Sequence, residues 1–346
     1  MRTLIILIVS ILSTFSIPVN GQDSIPAEPQ SLVKWVTLQE AEALNAKQPK
    51  PFIIDFYTDW CGWCKHMMRT TFSDPGIAAY INTNFYPVRF NAETKDTVIY
   101  RGEKYWNKST GNRPPHDLAI KLLQGKLSYP TLLFINNDYK FNLIVPGFQN
   151  SLDLEPFLVY TVEYVFNTTA IENFRTDYKQ LSQPDTLKKD TATIHWMGLE
   201  QGLELQKSQH KKMLVLISTK WCNSGRVYKE VAFKDSAIVK TVNELYIPVY
   251  FDAETTDTLS FKGINYVNDG THATLHNLAL AMCNNRLVLP SLVYVDSNTD
   301  LITAVPQYHG AKDLGLMLVY FGKDYFKSMK WEEYIKSLST KAGDSK

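Results

Sequence analysis

The chain repeats itself. Lys34-Trp35-Val36-Thr37-Leu38 recurs as His195-Trp196-Met197-Gly198-Leu199, and Thr58-Asp59-Trp60-Cys61 as Thr219-Lys220-Trp221-Cys222. The offset is 161 residues there and 160 further on, where Tyr129-Pro130-Thr131-Leu132 returns as Leu289-Pro290-Ser291-Leu292. Solenoid repeats run at about 20–50 residues, so a period this long is a duplicated domain. Whatever this chain folds into, it folds twice. The copies span 31–181 and 192–341, with the charged, Pro184-bearing stretch 182–191 as linker.

Each copy reads as helices alternating with apolar strands. In the first, a helix over Leu38 to Lys47 precedes the buried strand Pro51-Phe52-Ile53-Ile54-Asp55-Phe56. Strands follow at Tyr86 to Asn91, Thr131 to Asn136 and Phe141 to Val145, and a closing helix runs from Leu152 past Phe166. Such alternation calls for an α/β sheet covered on both faces. The stretch between Asn91 and Tyr129 is long for a connection and is either a rim element near a site or a structural elaboration.

At the end of the first strand stands Trp60-Cys61-Gly62-Trp63-Cys64-Lys65. A strand that delivers Cys-x-x-Cys to the first turn of a helix places Cys61 near unpaired backbone N–H groups. Those donors and the helix dipole favour thiolate over thiol. Zinc would need four ligands, and the remaining cysteines, Cys222 and Cys283, are 61 positions apart. A purely structural disulfide would close a loop too short to constrain much chain entropy. A redox-active dithiol is the favoured reading.

The segment Asp55-Phe56-Tyr57-Thr58-Asp59-Trp60-Cys61-Gly62-Trp63-Cys64-Lys65, with Ser128-Tyr129-Pro130-Thr131 downstream, resembles the active site of the thioredoxin superfamily. The resemblance implies two tandem thioredoxin folds, each a central mixed sheet flanked by helices. It further implies that Cys61 attacks, Cys64 resolves and Asp55 relays the Cys64 proton. Pro130 would be a cis-proline facing the cysteines and, with Thr131, would align substrate backbone. Trp60, Gly62, Trp63 and Tyr129 complete the implied substrate rim. His66, on the motif helix, reads as a surface residue.

The second copy keeps the frame and loses the chemistry. Cys222-Asn223-Ser224-Gly225 replaces the Cys-x-x-Cys, Leu216 stands for Asp55 and Tyr250 for Arg89. Trp221, Cys222 and Pro290 remain as the outline of a secondary site, either a monothiol able to trap partners or a leftover buried cysteine. Cys283 reads as core. His116 and His276 recur without nearby ligands, so no metal site is expected. Having shed a buried acid, residues 192–341 are expected to fold alone and to be the more stable half.

Composition narrows the setting. Lys plus Arg is 36 against 35 acids, a balance that implies neither nucleic acid nor a membrane surface as partner. Residues 1–21 have the short basic start, apolar run and small-residue end of a signal peptide, and 22–30 reads as a flexible lead-in. Four sparse cysteines in an exported chain favour chemistry over framework. The expectation is a periplasmic or secreted protein disulfide oxidoreductase, favouring reduction because Gly62-Trp63 brings no charge between the cysteines. It needs no dissolved cofactor and no metal, only the Cys61–Cys64 pair. Its partners would be protein or peptide disulfides and a membrane electron-transfer protein. The alternatives are an oxidase or isomerase, or a peptide-binding adaptor using both folds as interaction surfaces.

Overall fold

The computed structural model describes residues 31–108, 110–182, 193–271 and 274–343. The expected signal peptide, the lead-in and the linker from residue 183 lie outside the described residues. In the first half the order is α1 (Leu38–Lys47), β1 (Phe52–Tyr57), α2 (Gly62–Arg69), α3 (Pro75–Asn84) and β2 (Tyr86–Asn91). A hairpin of β3 (Val98–Tyr100) and β4 (Glu103–Tyr105) follows, then α4 (Asp117–Leu122), β5 (Thr131–Ile135), β6 (Asn142–Pro146), α5 (Ser151–Val162) and α6 (Ile171–Gln180). The second half runs through the same succession. It contains α7 (Leu199–Gln209), β7 (Lys212–Ser218), α8 (Asn223–Glu230), α9 (Ser236–Leu245), β8 (Tyr246–Asp252), β9 (Leu259–Phe261) and β10 (Ile264–Tyr266). It closes with α10 (Asn277–Met282), β11 (Ser291–Val295), β12 (Leu301–Pro306), α11 (Ala311–Gly322) and α12 (Trp331–Gly343).

Each half has one mixed four-stranded sheet, ordered β2-β1-β5-β6 and β8-β7-β11-β12. β1 pairs in parallel with β2 and antiparallel with β5. Successive strand residues face opposite sides, and both faces of β1 are buried. Phe52, Ile54 and Phe56 pack with α1 and α4, while Ile53 packs with Met67 and Met68 of α2 and with α3 and α5. By the same alternation Asp55 points into the layer that holds α2. The fold is α/β, two thioredoxin-like folds in series.

Local chemistry sets the boundaries. Thr37 and Glu40 form a capping box at α1, and Asp74 caps α3 ahead of Pro75. The long stretch after β2 turns out to be the hairpin plus α4, tied down by His116. Its Nδ1 accepts from Leu118 N at 3.1 Å, so the tautomer puts the proton on Nε2, which donates to the Asp96 carbonyl at 3.0 Å. His276 does the same with Leu278 and Asp257. Both histidines are buried helix caps.

One expectation needs correction. The closing helix does not run past Phe166. It stops at Val162, because Tyr164 adopts a left-handed φ of 55° and sends the chain through a 3-10 turn before α6. Phe166 is thereby turned onto Phe141, ring centroids 3.9 Å apart. The second half also packs against the first. One apolar cluster holds Val159, Tyr160, Phe174 and Tyr178 together with Tyr228, Tyr308, Leu314 and Leu318. Tyr308 packs edge-on to Phe174 at 5.4 Å and donates to Asp177 at 2.8 Å. Separating the copies would expose this shared cluster to water.

Candidate active site

β1 ends at Tyr57, a tight turn closes with Cys61 N donating to Thr58 O at 3.1 Å, and α2 begins. Cys61 is the N-cap of α2 and is bonded to Cys64 in a disulfide with Cα atoms 5.3 Å apart. Cys61 Sγ accepts the Cys64 backbone N–H at 3.1 Å. That donor and the positive end of the helix would stabilise a thiolate on Cys61 once the bond is reduced.

Asp55 is buried and aligned in register with Arg89 on β2, its Oδ2 3.9 Å from Arg89 Nε. Oδ1 accepts no hydrogen bond. Burial pushes the carboxyl up to about 7, with the Arg89 guanidinium opposing. A carboxyl poised there can give or take a proton near neutral pH.

Two large apolar side chains stand in solvent at the cysteines. Trp60 is 52% exposed and Trp63 63%. Trp60 is held by Glu93, whose carboxylate accepts from its indole N–H at 3.0 Å, and the Arg113 guanidinium lies 5.5 Å from its ring. Tyr129, partly exposed, meets Trp60 edge-on at 6.3 Å. Trp63 clusters with His66 and Phe148 at 5.6 and 5.4 Å, which makes His66 part of the rim rather than a detached surface residue. Gly62 is exposed and nothing lies within 4 Å of where a Cβ would stand. The Tyr129–Pro130 peptide is cis, and the Pro130 carbonyl is taken by Gly147 N at 2.8 Å. Thr131 differs from its expected place on the rim. It is fully buried and its hydroxyl is engaged by Ser128, so it braces the turn and cannot touch a substrate.

Glu93, Arg113 and Phe148 were missed in the sequence. One signal was present: the Trp60–Glu93 pair recurs in the second half as Trp221 and Glu254, also hydrogen-bonded at 3.0 Å.

In the second half Leu216 and Tyr250 face each other in the register that Asp55 and Arg89 occupy. Trp221 is exposed, and the Leu289–Pro290 bond is cis with Pro290 buried. Of the two readings of Cys222, the structure favours the buried cysteine over the monothiol. It is buried, and burial first and then the Glu163 carboxylate push its thiol far above the ordinary range. The place of the second cysteine is also filled. A Cβ at Gly225 would collide with Ser218 Oγ and lie 3.2 Å from Cys222 Sγ. Gly225→Cys is therefore expected to form no second disulfide and to lower the melting temperature by overpacking. Thiol counting after oxidation checks it, and a disulfide between Cys222 and the introduced thiol would show that the space exists.

Residues 38–161 match the family model described as a thioredoxin-like domain. The thiol:disulfide interchange protein DsbD of Pectobacterium atrosepticum is 30% identical over 115 residues, 33% of this chain and 17% of that protein. Its counterpart from Salmonella typhimurium is 33% identical over 95 residues, 28% of this chain and 13% of that protein. This chain thus matches less than a fifth of the length of either relative. Among solved structures, the oxidised C-terminal domain of Neisseria meningitidis DsbD is 20% identical, with 35% of this chain and 87% of that one covered and a TM-score of 0.24. A thioredoxin-fold protein from Helicobacter pylori is 16% identical, with 48% and 94% covered and a TM-score of 0.30. The motif, its place at the end of β1 and the match over residues 38–161 together place the first copy in the thioredoxin superfamily.

Proposed function

We propose that the protein is an extracytoplasmic thiol–disulfide oxidoreductase that reduces protein disulfides through Cys61 and Cys64. The observation that carries this is the Cys61–Cys64 disulfide at the start of α2, with Cys61 Sγ accepting a backbone N–H and two exposed tryptophans beside it. In the reduced chain, the Cys61 thiolate attacks one sulfur of a target disulfide. A mixed disulfide forms on Cys61 and the other target sulfur leaves as a thiolate. The Cys64 thiol gives its proton to the Asp55 carboxylate and attacks Cys61 Sγ, releasing the second target thiolate and closing the Cys61–Cys64 bond. Two electrons pass to the target, so a thiol donor must then reduce the pair again. A membrane electron-transfer protein is the partner this cycle calls for.

The rim formed by Trp60, Trp63, Tyr129 and Phe148 supports an extended peptide as substrate, since aromatic side chains supply large contact area. Export is supported by the character of residues 1–21. Among the described residues no helix is long and apolar enough to cross a membrane. The monothiol form of the adaptor alternative loses support, because Cys222 is buried and faces Glu163 of copy one.

Direction is testable by one number. The residues between the cysteines, Gly62 and Trp63, offer no charge to stabilise the reduced form, so the pair is expected to have a potential below about −180 mV, the level of the disulfide isomerases. Equilibration against glutathione of known ratio measures it. A value above that level would make the protein an oxidase or isomerase.

A further inference from the structure

Glu163 sits where local rules disfavour it. It caps the C-terminus of α5, and a carboxylate there faces the negative end of its own helix. The equivalent residue of the second copy is Lys323, the C-cap of α11, whose sign suits that end. Something outside α5 must hold Glu163.

The partner is the start of α8, the position of the lost Cys-x-x-Cys. Glu163 Oε1 accepts from Asn223 N at 2.9 Å, and Oε2 accepts from Ser224 N at 2.8 Å and from the Ser224 hydroxyl. The Cys222 thiol points at Oε2 from 3.6 Å. Asn223, Ser224 and Gly225 stand in line with Gly62, Trp63 and Cys64 of the first copy. A second element of copy one arrives as well: Tyr80 on α3 packs on the apolar cluster that the copies share.

We propose that the vestigial active site of the second copy has become a carboxylate socket, filled by Glu163, which fixes the two copies in one orientation and closes Cys222 to partners. Two free helix N–H groups, a hydroxyl and the positive end of α8 are what a carboxylate needs when it leaves water. Burial pushes Glu163 upward while the Ser224 and Asn223 donors hold it down. The Cys222 thiol is hard to ionise, first because it is buried and then because it faces that carboxylate. The helix-start donors next to Cys222 serve an anion from the neighbouring copy.

The oxidised full-length chain offers a clean readout, because its free thiols are Cys222 and Cys283. Both would be followed by N-ethylmaleimide labelling and peptide mass. In the parent chain Cys222 should label slowly. Glu163→Ala should speed labelling of Cys222 by about tenfold or more, tenfold being the effect of one pKa unit on a reactive thiolate, and leave Cys283 unchanged. Sodium acetate should restore protection in that variant, and sodium chloride at the same ionic strength should not. Glu163→Gln, which keeps the size and one acceptor oxygen, should fall between the two and guards against a folding defect in the alanine variant. Equal labelling of Cys222 in parent and both variants would overturn the socket. So would a rise shared by Cys283, which marks general unfolding, or an acetate effect that chloride matches.

Discussion

Replacing Cys61 with serine is expected to bring insulin reduction by dithiothreitol down to the uncatalysed rate. A serine hydroxyl in the same N-cap position would still accept the Cys64 N–H, so the helix start survives while the nucleophile is gone. Cys64→Ala should behave differently. Cys61 can still attack, but nothing releases the product, so mixed disulfides with target proteins accumulate and can be isolated. Cys222→Ser should leave the rate unchanged, since that thiol is buried against Glu163. Full activity in Cys61→Ser would remove the dithiol mechanism altogether.

Asp55→Asn should stabilise the oxidised chain at pH 8 and leave it unchanged at pH 4. The folded carboxyl titrates at about 7 against an ordinary value of 3.8. Below about pH 4 it is protonated in both states and costs nothing extra. As pH rises toward 7 the unfolded chain gives up the proton first, so stability falls through that window. Above it the loss is constant and on the order of 4 kcal/mol. Asparagine keeps the shape and carries no charge, so the pH-dependent loss disappears. The same variant should slow release of the mixed disulfide, because Cys64 loses its proton acceptor. Melting curves of parent and variant at pH 4 and pH 8 check the first effect. A parent and variant with the same pH dependence would show that Asp55 is not the group that titrates. Because the copies share a cluster, this in-chain comparison replaces any contest between isolated halves.

What the sequence made legible was whatever repeats or obeys local rules. The bounds of α1 follow from the Thr37–Glu40 cap, and those of β1 from an apolar run. Alignment of the copies set Leu216 against Asp55 and Tyr250 against Arg89, and the strands pair them in that register. The illegible parts are tertiary. No glycine or proline marks the break at Tyr164, because its reason is the burial of Phe166 against Phe141. Thr131 carried the rim by analogy, but the hydroxyl of a residue on a buried strand turns to the nearest carbonyl. Glu163 looked like an ordinary charge, and only the neighbouring copy explains it. Setting it beside Lys323 was the one sequence comparison that could have exposed it.

The occupied start of α8 also gives the duplication a direction in time. To regain a second dithiol, the chain would have to replace Gly225, clear Ser218 from the space and withdraw Glu163 from the helix start. Each change alone is harmful: a cysteine with no room, an empty pocket, or helix donors left without an acceptor. Selection that proceeds one substitution at a time has no downhill path through those intermediates. The asymmetry between the copies is a ratchet, and descendants of this chain can lose the remaining dithiol more readily than recover the other.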